Sequence, residues 1–188
     1  MGIEVADYSN VEVPSSLQSI CRYVETTLKP HEKIMIFTIG KEVFGADRST
    51  FVLPEDITQL AGMEEIGAIV LAVYMRCLYD HLKVANMLNV VGFIDPAQPS
   101  LGLADCESKE GNRLFSGSSA WKSCGTPKQP SNVECRYYVM HFMRDTNMDP
   151  SLEFEKTFAK GKEQAPYPQA TIDEVRNEWA EFVCLHVD

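Results

Sequence analysis

The feature that most constrains this chain is the apolar run IGAIVLAVYM, Ile66 to Met75. It is about ten residues long, where roughly twenty are needed to cross a bilayer. It must therefore be buried inside a folded domain, and the rest of the chain has to cover it. The stripe extends beyond the run: between Glu64 and Asn89, residues Ile66, Ile69, Val70, Val73, Cys77, Leu78 and Leu82 recur at helical spacing. This predicts one long buried helix ending before Gly92. Hydrophobic residues make up 45% of the 188-residue chain, enough for a single domain with a real core.

Around that helix the pattern alternates between elements and breakers. Residues 1–13 are polar and unpatterned, as in a disordered N-terminus. SSLQSICRYVETTLKP follows with Leu17, Ile20, Val24 and Leu28 on one face, Ser15 or Ser16 as a cap and Pro30 as a stop, which predicts a helix. KIMIFTI, Lys33 to Ile39, reads as a strand and KEVFGADRST as a loop. PEDITQLAG opens with proline and two acids, the composition of a helix first turn. GFIDP reads as a short strand stopped by Pro96, and 96–120 as a serine- and glycine-rich loop. Val133 to Met143 is apolar nearly all round, as in a central helix. The chain closes on a helix whose Thr171 and Glu174 have capping-box spacing, with Ile172, Val175, Trp179, Phe182 and Val183 as its apolar face.

Charge narrows the function classes. The 17 basic and 27 acidic residues leave a net charge of −10, which opposes binding to phosphate backbones and to anionic membrane surfaces. No nucleic acid and no membrane are expected as partners. MGIEVADYSNVEV carries acids where a secretory signal needs positive charge. Met1-Gly2 begins a myristoylation pattern, but Ala6 stands where Ser or Thr is preferred. The six cysteines (Cys21, Cys77, Cys106, Cys124, Cys135 and Cys184) form no CxxC pair, so free thiols in the nucleus or cytoplasm are expected. Cys124, Cys135 and His141 match no common zinc spacing. No cofactor and no metal are expected. The acidic clusters, among them Glu64-Glu65, Glu178 and Glu181, read as solvated faces.

Cys135 is the residue with the clearest chemical potential. It falls in the first turn of a helix after a proline-containing loop, where the helix dipole favours a thiolate. Gln129 lies six residues upstream, and its amide can donate to an oxyanion on a carbonyl attacked by that thiolate. The segment KQPSNVECRYYVMHFM, Lys128 to Met143, resembles the nucleophile segment of the ubiquitin-like-modifier-specific (SUMO-type) cysteine protease family, most closely its plant, transposon-associated members. The likeness extends to KEVFGADRSTFVLPEDITQLAGMEEIGAIVLAVYMRCLYD, to SLQSICRYVETTL and to EVRNEWAEFV. It implies an α+β, papain-related fold and a cysteine peptidase cleaving after a modifier's diglycine end. Cys135 would be the nucleophile and Gln129 the oxyanion-hole donor, and a ubiquitin-like modifier or its conjugates would be the partner.

The family's histidine, followed by tryptophan on a central strand, and its aspartate on the next strand would fall between GFIDP and Trp121. That interval contains no histidine. The four histidines are His31, His81, His141 and His186. His141 is six residues beyond Cys135, about 9 Å along a helix axis and pointing elsewhere. His81 with Asp95 reproduces the order of base and acid by analogy alone. His31 and His186 read as solvated residues near element ends. The family's glycine after the nucleophile is Arg136 here, which is expected either to stabilise a thiolate or, in preference, to crowd a narrow substrate channel. The general base is thus unknown. The resemblance therefore implies a truncated domain, mostly helical in what remains and catalytically incomplete: 14–95 a helical pre-catalytic segment, 96–120 the loop at the deletion, and 121–188 the nucleophile-bearing part. The alternative is a non-catalytic binding module for a modifier or another protein.

Overall fold

The structure is a computed structural model and describes residues 15–26, 35–89, 91–96, 130, 133–148 and 165–186. The expected N-terminal disorder, Leu28, Pro30, His31, nearly all of the 96–120 loop, Trp121, Cys124 and Gln129 lie outside the described residues.

The first helix, α1 (Ser15–Thr26), buries Leu17, Ile20 and Val24 as the spacing predicts. Its start is not satisfied by local serine capping alone, because the Ser16 N–H donates to Asn177 Oδ1 at 3.2 Å, from the far end of the chain. Strand β1 (Met35–Ile39) alternates buried and exposed residues. The segment expected as a loop instead forms a short helix, α2 (Lys41–Phe44), and strand β2 (Arg48–Val52). The strands pair antiparallel, Met35 opposite Val52 and Ile39 opposite Arg48. Thr50 and Val52 face the core, so the strand is real, but one of its two inward residues is polar and its period is hard to see. Gly45, at φ 82, supplies the left-handed turn after α2.

Helix α3 (Pro54–Ala61) begins where the proline and acids place it, with Asp56 accepting from the Leu53 N–H at 2.8 Å. Its end is a Schellman-type turn: Glu64 N–H donates to Gln59 O at 2.9 Å, and Met63 takes the left-handed position at φ 55. A non-glycine residue there costs about 1–2 kcal/mol, which burial of the Met63 side chain offsets. Ile66 is also buried, but in the connection. The long helix α4 thus starts at Ala68, later than Glu64, and stops at Val84. The stop is Asn86, left-handed at φ 58, with the Met87 N–H donating to Leu82 O at 2.9 Å. Gly92 plays no part in it. GFIDP is irregular and not a strand. Its Asp95 is buried against the Arg48 guanidinium of β2.

Helix α5 (Cys135–Met148) buries Tyr137, Tyr138, Met140 and His141 but leaves Val139 and Met148 exposed. It is a one-sided packing helix and not a central one. Helix α6 (Gln169–His186) begins two residues before the expected cap, with the Pro168 carbonyl accepting the Thr171 N–H at 3.0 Å. Thr171 is therefore inside the helix and Glu174 is free to pair with Arg144. Helix α6 packs on α1, α5 and α4, while α4 also backs both strands and α5. The architecture is a mostly helical domain with one two-stranded antiparallel sheet among the described residues, compatible with the α+β class. No helix among the described residues is long and apolar enough to cross a membrane.

Candidate functional site

Cys135 is the first residue of α5 and is exposed as a free thiol. Two neighbours fix the helix start on the α3–α4 connection. The Arg136 guanidinium donates to the Ile66 carbonyl and lies 3.3 Å from Glu65 Oε1. The Tyr137 hydroxyl donates to Glu64 O at 2.9 Å. Burial pushes the Tyr137 phenol well above its ordinary value, Arg176 opposing that shift and Glu64 adding to it. It remains a neutral donor. Through these contacts Arg136 clamps the connection that α5 rests on. Gln129, the other half of the expected pair, lies outside the described residues.

The three described histidines all have partners away from Cys135. His141 is buried, stacks on Tyr167 with ring centroids 4.2 Å apart, and has Nδ1 3.1 Å from Asp145 Oδ2. That contact is too poorly directed to count as a hydrogen bond. His81 Nδ1 faces Glu178 Oε1 at 3.3 Å. His186 Nδ1 lies 2.8 Å from the Phe182 carbonyl, and its ring rests on Phe182. The proposed partnership of His81 with Asp95 is corrected by these contacts, since Asp95 is held by Arg48 and His81 by Glu178.

The His141 environment gives a pH prediction. Burial lowers its pKa from the ordinary 6.5; Asp145 and Glu174 oppose the shift and Arg144 reinforces it. The folded state thus binds the proton less readily than the unfolded state. Stability should be complete above about pH 6.5 and fall as the pH drops below it, because acid favours the unfolded chain. Urea unfolding at pH 7.5 and 5.5 should show this loss. His141→Phe, which keeps the ring on Tyr167, should reduce the difference between the two.

A second polar group lies between α4 and α6, where the sequence suggested only a solvated acid. The carboxylate of Glu178 is largely enclosed: it accepts the Tyr74 hydroxyl at 2.7 Å and lies 3.6 Å from Arg144 Nε and 3.3 Å from His81. Cys77 is buried beside it. Burial, and then the charge of Glu178, push both the Tyr74 phenol and the Cys77 thiol far above their ordinary values. The thiol is a protonated group in a polar pocket. Cys77 and His81 stand four apart on a predicted helix, a spacing legible in the sequence. The arrival of Glu178 from about a hundred residues away was not.

Comparison of the chain with models of known protein families, with curated proteins and with solved structures finds no match.

Proposed function

We propose that this chain is a relative of the ubiquitin-like-modifier-specific cysteine proteases whose catalytic set is incomplete, so that it holds a modifier or modified protein without cleaving it. The observation that carries the reading is the separation of parts. Cys135 stands exposed at the start of α5, while His81, His141 and His186 are each partnered elsewhere. A cysteine peptidase needs an imidazole within hydrogen-bond reach of the thiol and an acid orienting that imidazole. Loss of such a member lowers turnover by several orders of magnitude. On this reading the fold is a truncated papain-related domain, Gln129 is a remnant of the oxyanion hole, and the chain works in the nucleus or cytoplasm. Support for the family comes from the Lys128–Met143 segment and from the position of its cysteine as the opening residue of a helix.

The test uses the full chain with a panel of ubiquitin-like modifiers, each extended beyond its diglycine end. The expected result is saturable binding of at least one modifier, unchanged in Cys135→Ala, with no removal of the extension. Failure to bind any of them would contradict the family reading. Cleavage abolished by Cys135→Ala would contradict the incompleteness.

A further inference from the structure

We propose that Cys77, His81 and Glu178 form a binding site for a zinc-class divalent cation that ties α4 to α6. The inference does not depend on the reading of Cys135; the two share only His81, whose contact with Glu178 keeps it away from Cys135. Cys77 and His81 are one helical turn apart and share a face of α4, and Glu178 meets them from α6. One ligand atom from each lies within 4.8 Å of the other two. His81 Nδ1 and Glu178 Oε1 are 3.3 Å apart. Two ligands held about 2.0–2.1 Å from a tetrahedral zinc ion would be separated by about 3.3–3.4 Å. That edge of the tetrahedron is already set, and the sulfur, within 4.8 Å of both atoms, reaches its corner by side-chain adjustment.

The surroundings suit the assignment. Glu178 Oε2 is occupied by the Tyr74 hydroxyl and by Arg144, which orients the carboxylate and leaves Oε1 facing His81. Such outer partners are what hold a metal ligand in place. Arg144 is a nearby cation, but Glu178, Asp80 and Glu181 all act on Cys77 and leave the pocket acidic, with Arg76 opposing. A set of one thiolate, one imidazole and one carboxylate selects zinc and its neighbours over magnesium and calcium, which take oxygen ligands. Three protein ligands leave a fourth position for water. The His81 side chain is 42% exposed and opens the path by which a cation enters. On binding, the sulfur–metal bond forms as the Cys77 thiol proton leaves to solvent, with no change of oxidation state.

The experiment takes the tag-free, reduced full chain, stripped of metal, and titrates Zn2+ against a chromophoric chelator, with Co2+ as the spectroscopic probe. One zinc per chain is expected, with a raised thermal midpoint, since binding to the folded state alone stabilises it. The cobalt form should show a thiolate-to-metal charge-transfer band. His81→Gln, at an exposed position, should leave the fold intact and weaken zinc binding at least tenfold. Cys77→Ala should abolish the charge-transfer band. Absence of stoichiometric zinc binding would overturn the proposal. So would affinity and spectrum that are unchanged in the variants; should Cys77→Ala not fold, His81→Gln decides.

Discussion

Replacing Trp179 with alanine is expected to destabilise the protein by about 3–5 kcal/mol, the range for removing a large aromatic side chain from a packed core. Trp179 is fully buried on α6, within the apolar cluster that joins α1, α3, α4, α5 and α6. Its indole N–H donates to the Val70 carbonyl in the first turn of α4 at 3.0 Å. The alanine variant loses that bond, the contacts of the ring and the filling of its volume together. Since domains of this size are stable by only about 5–15 kcal/mol in all, much of the population should unfold under mild denaturant. Trp179→Phe separates the terms, because it loses the donor but keeps an aromatic ring and most of the volume. The Val70 carbonyl retains its helical partner position, so the phenylalanine variant should cost about 1 kcal/mol for the lost hydrogen bond plus a small repacking term. Urea unfolding followed by far-ultraviolet circular dichroism measures both. A loss below about 1 kcal/mol in Trp179→Ala would contradict this packing.

The second large effect is at Arg176, which is fully buried one turn before Trp179. Its Nε donates to the Leu60 carbonyl at 3.0 Å and its Nη2 to the Ala61 carbonyl at 2.6 Å, while Nη1 pairs with Asp173. Leu60 and Ala61 are the last residues of α3, whose carbonyls lack helical donors and carry the negative end of the helix dipole. Arg176 thus caps one helix from within another. Arg176→Met keeps the length and removes the donors and the charge. It leaves two carbonyls unpaired inside the core and takes from Asp173 its cationic partner, leaving it the Gln169 amide at 2.8 Å. The change should cost about 3–5 kcal/mol, chiefly from the unpaired carbonyls and the broken ion pair. Arg176→Lys retains the charge but offers one nitrogen where three positions are served. It should recover less than half of the loss. A methionine variant as stable as the parent would mean that the carbonyls find water and that the cap is dispensable.

How far these features could be read beforehand differs by residue. The buried faces of α1 and α4 and the apolar residues of α6 follow from spacing, because hydrophobic burial is recorded directly in periodicity, while α3 was legible from the proline and acids of its first turn. Arg176 sits within the α6 stripe between Val175 and Trp179, yet its role depends on where the end of α3 lies, and the sequence of α6 carries no trace of that. Strand β2 was hidden by Thr50 facing inward. Helix α4 does end before Gly92, as expected, but its end at Val84 was not legible, because Asn86 takes the left-handed position that glycine more often fills. In the site, the helix start at Cys135 was legible from the loop before it. The commitments of His81 and His141 were not, because Glu178 and Tyr167 reach them by tertiary packing. The same packing completes the Cys77, His81 and Glu178 cluster, of which only the Cys77–His81 half is written in one segment.

The proposal that the Cys135 site is catalytically incomplete is tested most directly by covalent capture. The reduced chain is incubated with ubiquitin-like modifiers carrying a thiol-reactive electrophile at the diglycine end, and adducts are resolved by intact-protein mass. An active family member is captured rapidly, because its imidazole generates the thiolate next to the bound diglycine. Here the expected result is no adduct faster than that formed by a small-molecule thiol of similar exposure, even at modifier concentrations that saturate binding. A rapid one-to-one adduct, lost in Cys135→Ala and retained in Cys21→Ala and Cys184→Ala, would contradict it and would show that a general base reaches Cys135 after all.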